Sequence, residues 1–250
     1  MYASIRAFDD SISLHKHLLE DFLRLVRNDH FLKSTTDIRV HYFPSDSDFF
    51  KCTYPVEKMH EPRDNQPRIL AYLAKEDEPK YEEGVVEGQR IPIYDNIKVV
   101  NLQPGGGKTF LAMKTMVDEK IRTAMIMRGG YIDRWIPDLE ATIDFESGEI
   151  QSINGFRNMN ILMEYALEDD FEPAKAYLFT MRTMNDYIQH FEANGVSDHY
   201  PIAPHDFFKK LGVGSVIFDE AHQMLHQVCR MVSNFHLKKA TFLSATLDSS

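Results

Sequence analysis

The chain has 250 residues, 43% of them hydrophobic and 26% charged, with 38 acidic against 28 basic side chains and a formal net charge of −10. There is enough apolar material for a buried core, which excludes a disordered, collagenous or disulfide-stapled chain. The acidic balance excludes a basic nucleic-acid-binding tail but not a local basic groove. Cys52 and Cys229 are too few and too far apart for a disulfide framework, and read as free thiols of a reducing compartment. Residues 1–10 carry no basic-then-apolar signal, and no apolar run approaches the roughly 20 residues that span a bilayer. A soluble, cytoplasmic protein is expected, with no membrane partner.

Residues 11–26 place Ile12, Leu14, Leu18, Leu19, Phe22, Leu23 and Val26 at helical spacing and predict a helix. Residues 38–43 alternate like a strand, 44–48 form a Pro/Ser/Asp turn cluster, and 49–54 predict a second strand. Residues 1–58 are therefore expected to form a small N-terminal α+β appendage, and residues 59–250 the main domain. A short amphipathic helix is expected around Ile69, Leu70, Tyr72 and Leu73, and an acidic, solvated loop over 75–87.

From Ile97 onward the texture changes. Continuous apolar runs at 97–102, 123–127, 149–153, 176–180, 215–218 and 240–243 alternate with helical stretches. Unbroken apolar runs suit strands covered on both faces, and their alternation with helices predicts an α/β fold with a mostly parallel, doubly wound sheet. Ligands of such sheets bind beyond the carboxyl ends of the strands, so the residues that follow each run carry the functional argument.

The first run leads into Gln103-Pro104-Gly105-Gly106-Gly107-Lys108-Thr109 and then a helical stretch. Glycines let backbone N–H groups close around phosphate oxygens, and the helix N-terminus adds its positive end. Lys108 is placed to reach the β- and γ-phosphates, and the Thr109 hydroxyl to hold Mg²⁺. The full pattern G-x-x-x-x-G-K-[ST] has glycine where Leu102 stands. The plainer alternative is a glycine-rich turn with a solvated Lys108.

The run at 215–218 leads into Asp219-Glu220-Ala221-His222, and the run at 240–243 into Ser244-Ala245-Thr246. Beside a phosphate loop, Asp219 suits a Mg²⁺ ligand and Glu220 a base that orients and deprotonates water. Taken alone, two acids after a strand equally well decorate a helix start, and Ser-Ala-Thr is an ordinary strand-to-turn transition. The histidines, with two distant cysteines, have no zinc spacing.

Order and spacing join these signals: 111 residues separate Lys108 from Asp219, and 25 separate Asp219 from Ser244. Over about residues 60–250 the chain resembles the first RecA-like domain of a superfamily 2 helicase or translocase. Gly105–Thr109 resemble motif I, Asp219–His222 the DEAH form of motif II, and Ser244–Thr246 motif III. Residues 123–127 with Arg128, Gly129, Gly130, Tyr131 and Trp135 resemble motif Ia, although the family usually has proline near Arg128. Trp135 reads as a packed helix anchor rather than a base-stacking residue. Residues 177–183 resemble motif Ib, and Arg63-Asp64-Asn65-Gln66 the adenine-recognising glutamine motif. The style is closest to phage-type DNA helicases.

The resemblance implies a RecA-like P-loop NTPase fold and an ATP-dependent helicase that uses ATP and Mg²⁺. Gly105, Gly106, Gly107, Lys108, Thr109 and Gln66 would bind nucleotide, and Thr109 and Asp219 the metal. Lys108, Asp219 and Glu220 would be catalytic, while His222, Ser244 and Thr246 couple the nucleotide site to movement. Arg128, Gly129, Thr180 and Arg182 would contact nucleic acid, DNA being favoured over RNA. Such enzymes use a second RecA-like lobe that supplies an arginine finger. A chain that stops at Ser250 is expected to lack that lobe and to hydrolyse ATP weakly; a fragment, a split subunit and a degenerate ATPase all fit. An ATP-binding regulatory module without motor activity, or another P-loop enzyme such as a kinase, are the alternatives. A phage-encoded protein would act in the host cytoplasm.

Overall fold

The computed structural model describes residues 6–8, 11–13, 19–30, 50–56, 59–75, 80–83, 90–93, 97–235, 237 and 239–245. The chain divides into two compact units, one of residues 1–45 and 76–96 and the other of residues 46–75 and 97–250. The small unit thus takes in a segment well beyond residue 58, and residues 46–58 go with the large one.

In the small unit, β1 (Arg6–Phe8) pairs antiparallel with β2 (Ser11–Ser13), and α1 spans Leu19–Asn28. The helix expected over 11–26 therefore starts later, and its first residues form a strand instead. Where a solvated loop was expected over 75–87, β3 (Lys80–Glu83) pairs antiparallel with β4 (Arg90–Ile93). The Lys-Tyr-Glu-Glu of β3 leaves little apolar signal, and Pro92 of β4 gives no N–H to the ladder. The strand expected at 38–43 and the turn at 44–48 lie outside the described residues.

The large unit holds α2 (Gln66–Ala74), β5 (Ile97–Asn101), α3 (Lys108–Glu119), β6 (Thr123–Met127), α4 (Gly129–Glu140), β7 (Ile150–Ile153), α5 (Phe156–Tyr165), β8 (Ala176–Thr180), α6 (Met181–Asn194), α7 (Pro204–Lys210), β9 (Ser215–Phe218), α8 (Leu225–Asn234) and β10 (Lys239–Ser244). All six apolar runs are strands. They form one parallel sheet in the order β5-β10-β9-β6-β8-β7. Residues 50–54 do not form the expected strand: Lys51 makes a single antiparallel bridge to Ile121, with Cys52 N–H donating to the Lys120 carbonyl at 2.8 Å.

The central strands β6, β8 and β9 are buried along their whole length because alternate residues enter two separate cores. Ile126, Phe179, Val216 and Phe218 face a core with Met159, Met184, Tyr187, Phe207 and Val228. Met125, Met127, Leu178, Ile217 and Leu243 face a second core with Leu73, Met113, Met116, Trp135 and Leu139. Helices α5, α6, α7 and α8 thus cover one face and α2, α3 and α4 the other. This is the doubly wound arrangement, and with all strands parallel it gathers every strand's carboxyl end on one rim.

Candidate functional site

From β5 the chain turns through residues 102–107 into α3, whose first residue is Lys108. Gly105 and Gly107 have φ of 81° and 85°, the left-handed region where a side chain is strained. A Cβ at Gly105 would meet nothing within 4 Å, whereas one at Gly107 would lie 2.4 Å from Gln66 Nε2. The loop backbone is bare at Gly105 and covered by the Gln66 amide at Gly107. That amide donates from Nε2 to the Gly106 carbonyl at 3.4 Å, and its Oε1 accepts from the Arg63 N–H at 2.9 Å. The opening N–H groups of α3 have no partner within the helix and add its positive dipole end to the loop.

Across the rim, Asp219 continues the ladder of β9 by donating its backbone N–H to the Ile126 carbonyl at 3.0 Å. The residue is only 7% exposed. Oδ1 accepts the Glu220 backbone N–H at 3.0 Å, and Oδ2 accepts the Trp135 indole N–H at 3.1 Å. Burial pushes the Asp219 carboxyl above the usual range, opposed by the Trp135 hydrogen bond and the Lys108 charge.

Glu220 has φ of 52°, uncommon for a residue with a long side chain. It starts the 3-10 turn Ala221–Met224. Its Oε1 pairs with Lys108 Nζ. Its Oε2 is buried without a hydrogen-bond partner and lies 3.4 Å from His222 Nδ1. His222 Nδ1 is in turn 2.8 Å from Ser244 Oγ, the tautomer deciding which atom donates. The carbonyl of Ser244 accepts the Leu102 N–H at 2.8 Å, closing the ring back to the glycine loop. Lys108, Glu220, His222 and Ser244 form a continuous polar chain between α3 and β10. Thr109 follows Lys108 in the first turn of α3, and Thr246 lies outside the described residues.

The parallel pairing of Met127 with Thr180 brings the ends of β6 and β8 side by side. A Cβ on Gly129 would sit 3.6 Å from Thr180 Cγ2. Arg128 and Arg182 are exposed there; Arg128 Nη1 donates to Gln223 Oε1 at 2.8 Å, and Arg182 lies 3.7 Å from Asp186. Thr180, expected to contact nucleic acid, is 2% exposed. Its Oγ1 accepts the Thr183 N–H at 3.2 Å and shares a hydrogen bond with the Thr183 hydroxyl at 2.7 Å, capping α6.

Two contacts at this rim have no sequence motif behind them: Trp135 to Asp219 and Arg128 to Gln223. Trp135 is a packed helix anchor, as expected, yet its N–H also reaches the acid. The only available signal was that a buried indole needs an acceptor.

The loop suits a polyphosphate: it is bare at Gly105 and tipped by a helix N-terminus and a lysine. The buried Glu220 Oε2, which makes no hydrogen bond, suits a water held beside it. Among the described residues, no group of three or more His, Cys, Asp or Glu side chains is placed to hold a metal ion. That is compatible with Mg²⁺, which typically takes one or two protein ligands and the rest from phosphates and water. No helix among the described residues is long and apolar enough to cross a membrane.

No protein-family model matches the chain, and no curated protein matches it in sequence. Among solved structures, the chain is similar to the UvsW helicase from Bacteriophage T4, at 13% identity over 94% of this chain and 72% of that one, with a TM-score of 0.48. It is also similar to the Pyrococcus furiosus Hef helicase domain, at 17% identity over 76% of this chain and 33% of that one, with a TM-score of 0.47. Likeness of this degree assigns no activity to any side chain.

Proposed function

We propose that the chain is the RecA-like ATP-binding lobe of an ATP-dependent helicase or translocase acting on nucleic acid, DNA rather than RNA, and that it works with a second RecA-like lobe. The observation that carries this reading is the Lys108–Glu220 ion pair, which joins the glycine loop to the acidic strand end across 112 residues of sequence.

In this reading the N–H groups of Gly105, Gly106 and Gly107 take the phosphate oxygens, and Gln66 exchanges its present partners for the adenine edge. Lys108 leaves Glu220 for the β- and γ-phosphates. That exchange frees the Glu220 carboxylate to orient a water and accept its proton. Thr109 and Asp219 would hold Mg²⁺, which when bound neutralises charge developing on the phosphate oxygens. His222 links Glu220 to Ser244, and through it to Thr246, so the state of the nucleotide site reaches β10. Arg128, Gly129 and Arg182, with the backbone at Thr180, lie where a strand's phosphates would pass; such contacts give position without sequence information. Catalysis is mostly positioning and charge stabilisation, so turnover by this lobe alone is slow without an arginine from the second lobe.

Phosphate release from ATP tests the reading. Glu220→Gln is expected to keep ATP binding and to lose on the order of a hundredfold in turnover. In a protein carrying both lobes, single-stranded DNA is expected to raise turnover. Equal rates for wild type and Glu220→Gln would remove Glu220 from the base role, and a two-lobed protein indifferent to DNA would contradict motor activity.

A further inference from the structure

Trp135 is the only tryptophan of the chain. It is 5% exposed and shares the buried face of α4 with Ile132 and Leu139. Packing that face asks only for an apolar side chain of about the right size. The indole N–H asks for more, because a buried donor without an acceptor is costly. It finds Asp219 Oδ2 at 3.1 Å, 84 residues away in sequence. The other carboxylate oxygen takes the Glu220 backbone N–H at 3.0 Å. One donor on each oxygen fixes the plane of the carboxylate as well as its place. The element that carries Trp135 is itself tied to the same strand end, since Arg128, at the N-terminus of α4, donates to Gln223 at 2.8 Å. Helix α4 therefore grips the β9 end on both sides of Glu220.

We infer that Trp135 is a positioning residue for the nucleotide site: its indole N–H sets the orientation in which Asp219 meets a magnesium-bound nucleotide. The inference rests on the phosphate-loop reading above. It names a role for the tryptophan that packing alone does not require. Outer partners that orient a metal's carboxylate or imidazole ligands are worth on the order of 10–100-fold in metal affinity or activity, so the effect is within reach of equilibrium measurements.

Calorimetric titration of wild type and Trp135→Phe with ADP, once in EDTA and once in magnesium, separates this role from a structural one. The expected result is equal ADP affinity in EDTA and a magnesium-dependent gain that shrinks by on the order of tenfold in the variant. A general packing defect would weaken binding equally in both conditions. The wild type supplies a second readout that needs no variant. Emission from its single tryptophan is expected to change when ADP and magnesium bind together, and to stay constant when ADP binds in EDTA. Equal magnesium gains in the two proteins, a uniform weakening, or wild-type emission indifferent to magnesium while ADP binds, would overturn the positioning role and leave the phosphate-loop reading standing. Failure of the wild type to bind ADP in either condition would overturn both. Should Trp135→Phe fail to fold, the wild-type emission decides.

Discussion

Gly107 shows how little freedom the glycine loop has. Its φ of 85° puts an L-residue in the left-handed region, and a Cβ there would lie 2.4 Å from Gln66 Nε2. Gly107→Ala is expected to cost roughly 1–2 kcal/mol from the backbone alone and to displace the Gln66 amide from Gly106. Denaturant unfolding of Gly107→Ala, Gln66→Ala and the double variant separates the two effects. Removing Gln66 should return only the part owed to its contact, because the strained φ remains. A Gly107→Ala protein as stable as wild type would contradict the loop geometry. Glu220 stands in the same region of backbone space at φ 52°. There a charged residue keeps a strained conformation and a buried oxygen that makes no hydrogen bond, a combination more often found at functional sites than in structural turns.

The carboxyl-end rim is built from strand ends that flow directly into helices, and its caps hold it in shape. Thr180 ends β8 and caps α6 through Thr183, whose hydroxyl also accepts the Gly155 N–H at 2.7 Å. Thr180→Val keeps the shape and removes the cap, and is expected to cost roughly 1 kcal/mol of stability in urea. Because the side chain is buried, DNA affinity should be unchanged if the site is as proposed. Lost affinity at unchanged stability would return Thr180 to the nucleic-acid surface. The strands of the large unit were legible because the central ones, β6, β8 and β9, are buried along their whole length and feed two cores. The pair of β3 and β4 was not, since Lys-Tyr-Glu-Glu is almost wholly charged and Arg-Ile-Pro-Ile is four residues long with a proline inside it. The helix expected over 11–26 starts later because Ile12 and Leu14 are two residues apart, which is the strand period, and Ser11–Ser13 forms a three-residue strand too short to show a period of its own.

For the whole molecule, the doubly wound sheet explains why distant motifs meet. Parallel strands put the ends of β5, β9 and β10 next to one another, so Lys108, Glu220, His222 and Ser244 touch although they come from three separate stretches of sequence. The members of that group were legible as motifs. The contacts of Trp135 with Asp219 and of Gln223 with Arg128 were not, because nothing local in the sequence marks an indole or an amide for a contact made across the rim. In the proposed function the glycine loop and the acidic strand end form one nucleotide site with Lys108 at its centre. The decisive measurement is equilibrium binding of ATP in magnesium to wild type and Lys108→Ala. Saturable binding is expected for the wild type and none measurable for a folded Lys108→Ala protein; equal affinity in the two would overturn the proposed site.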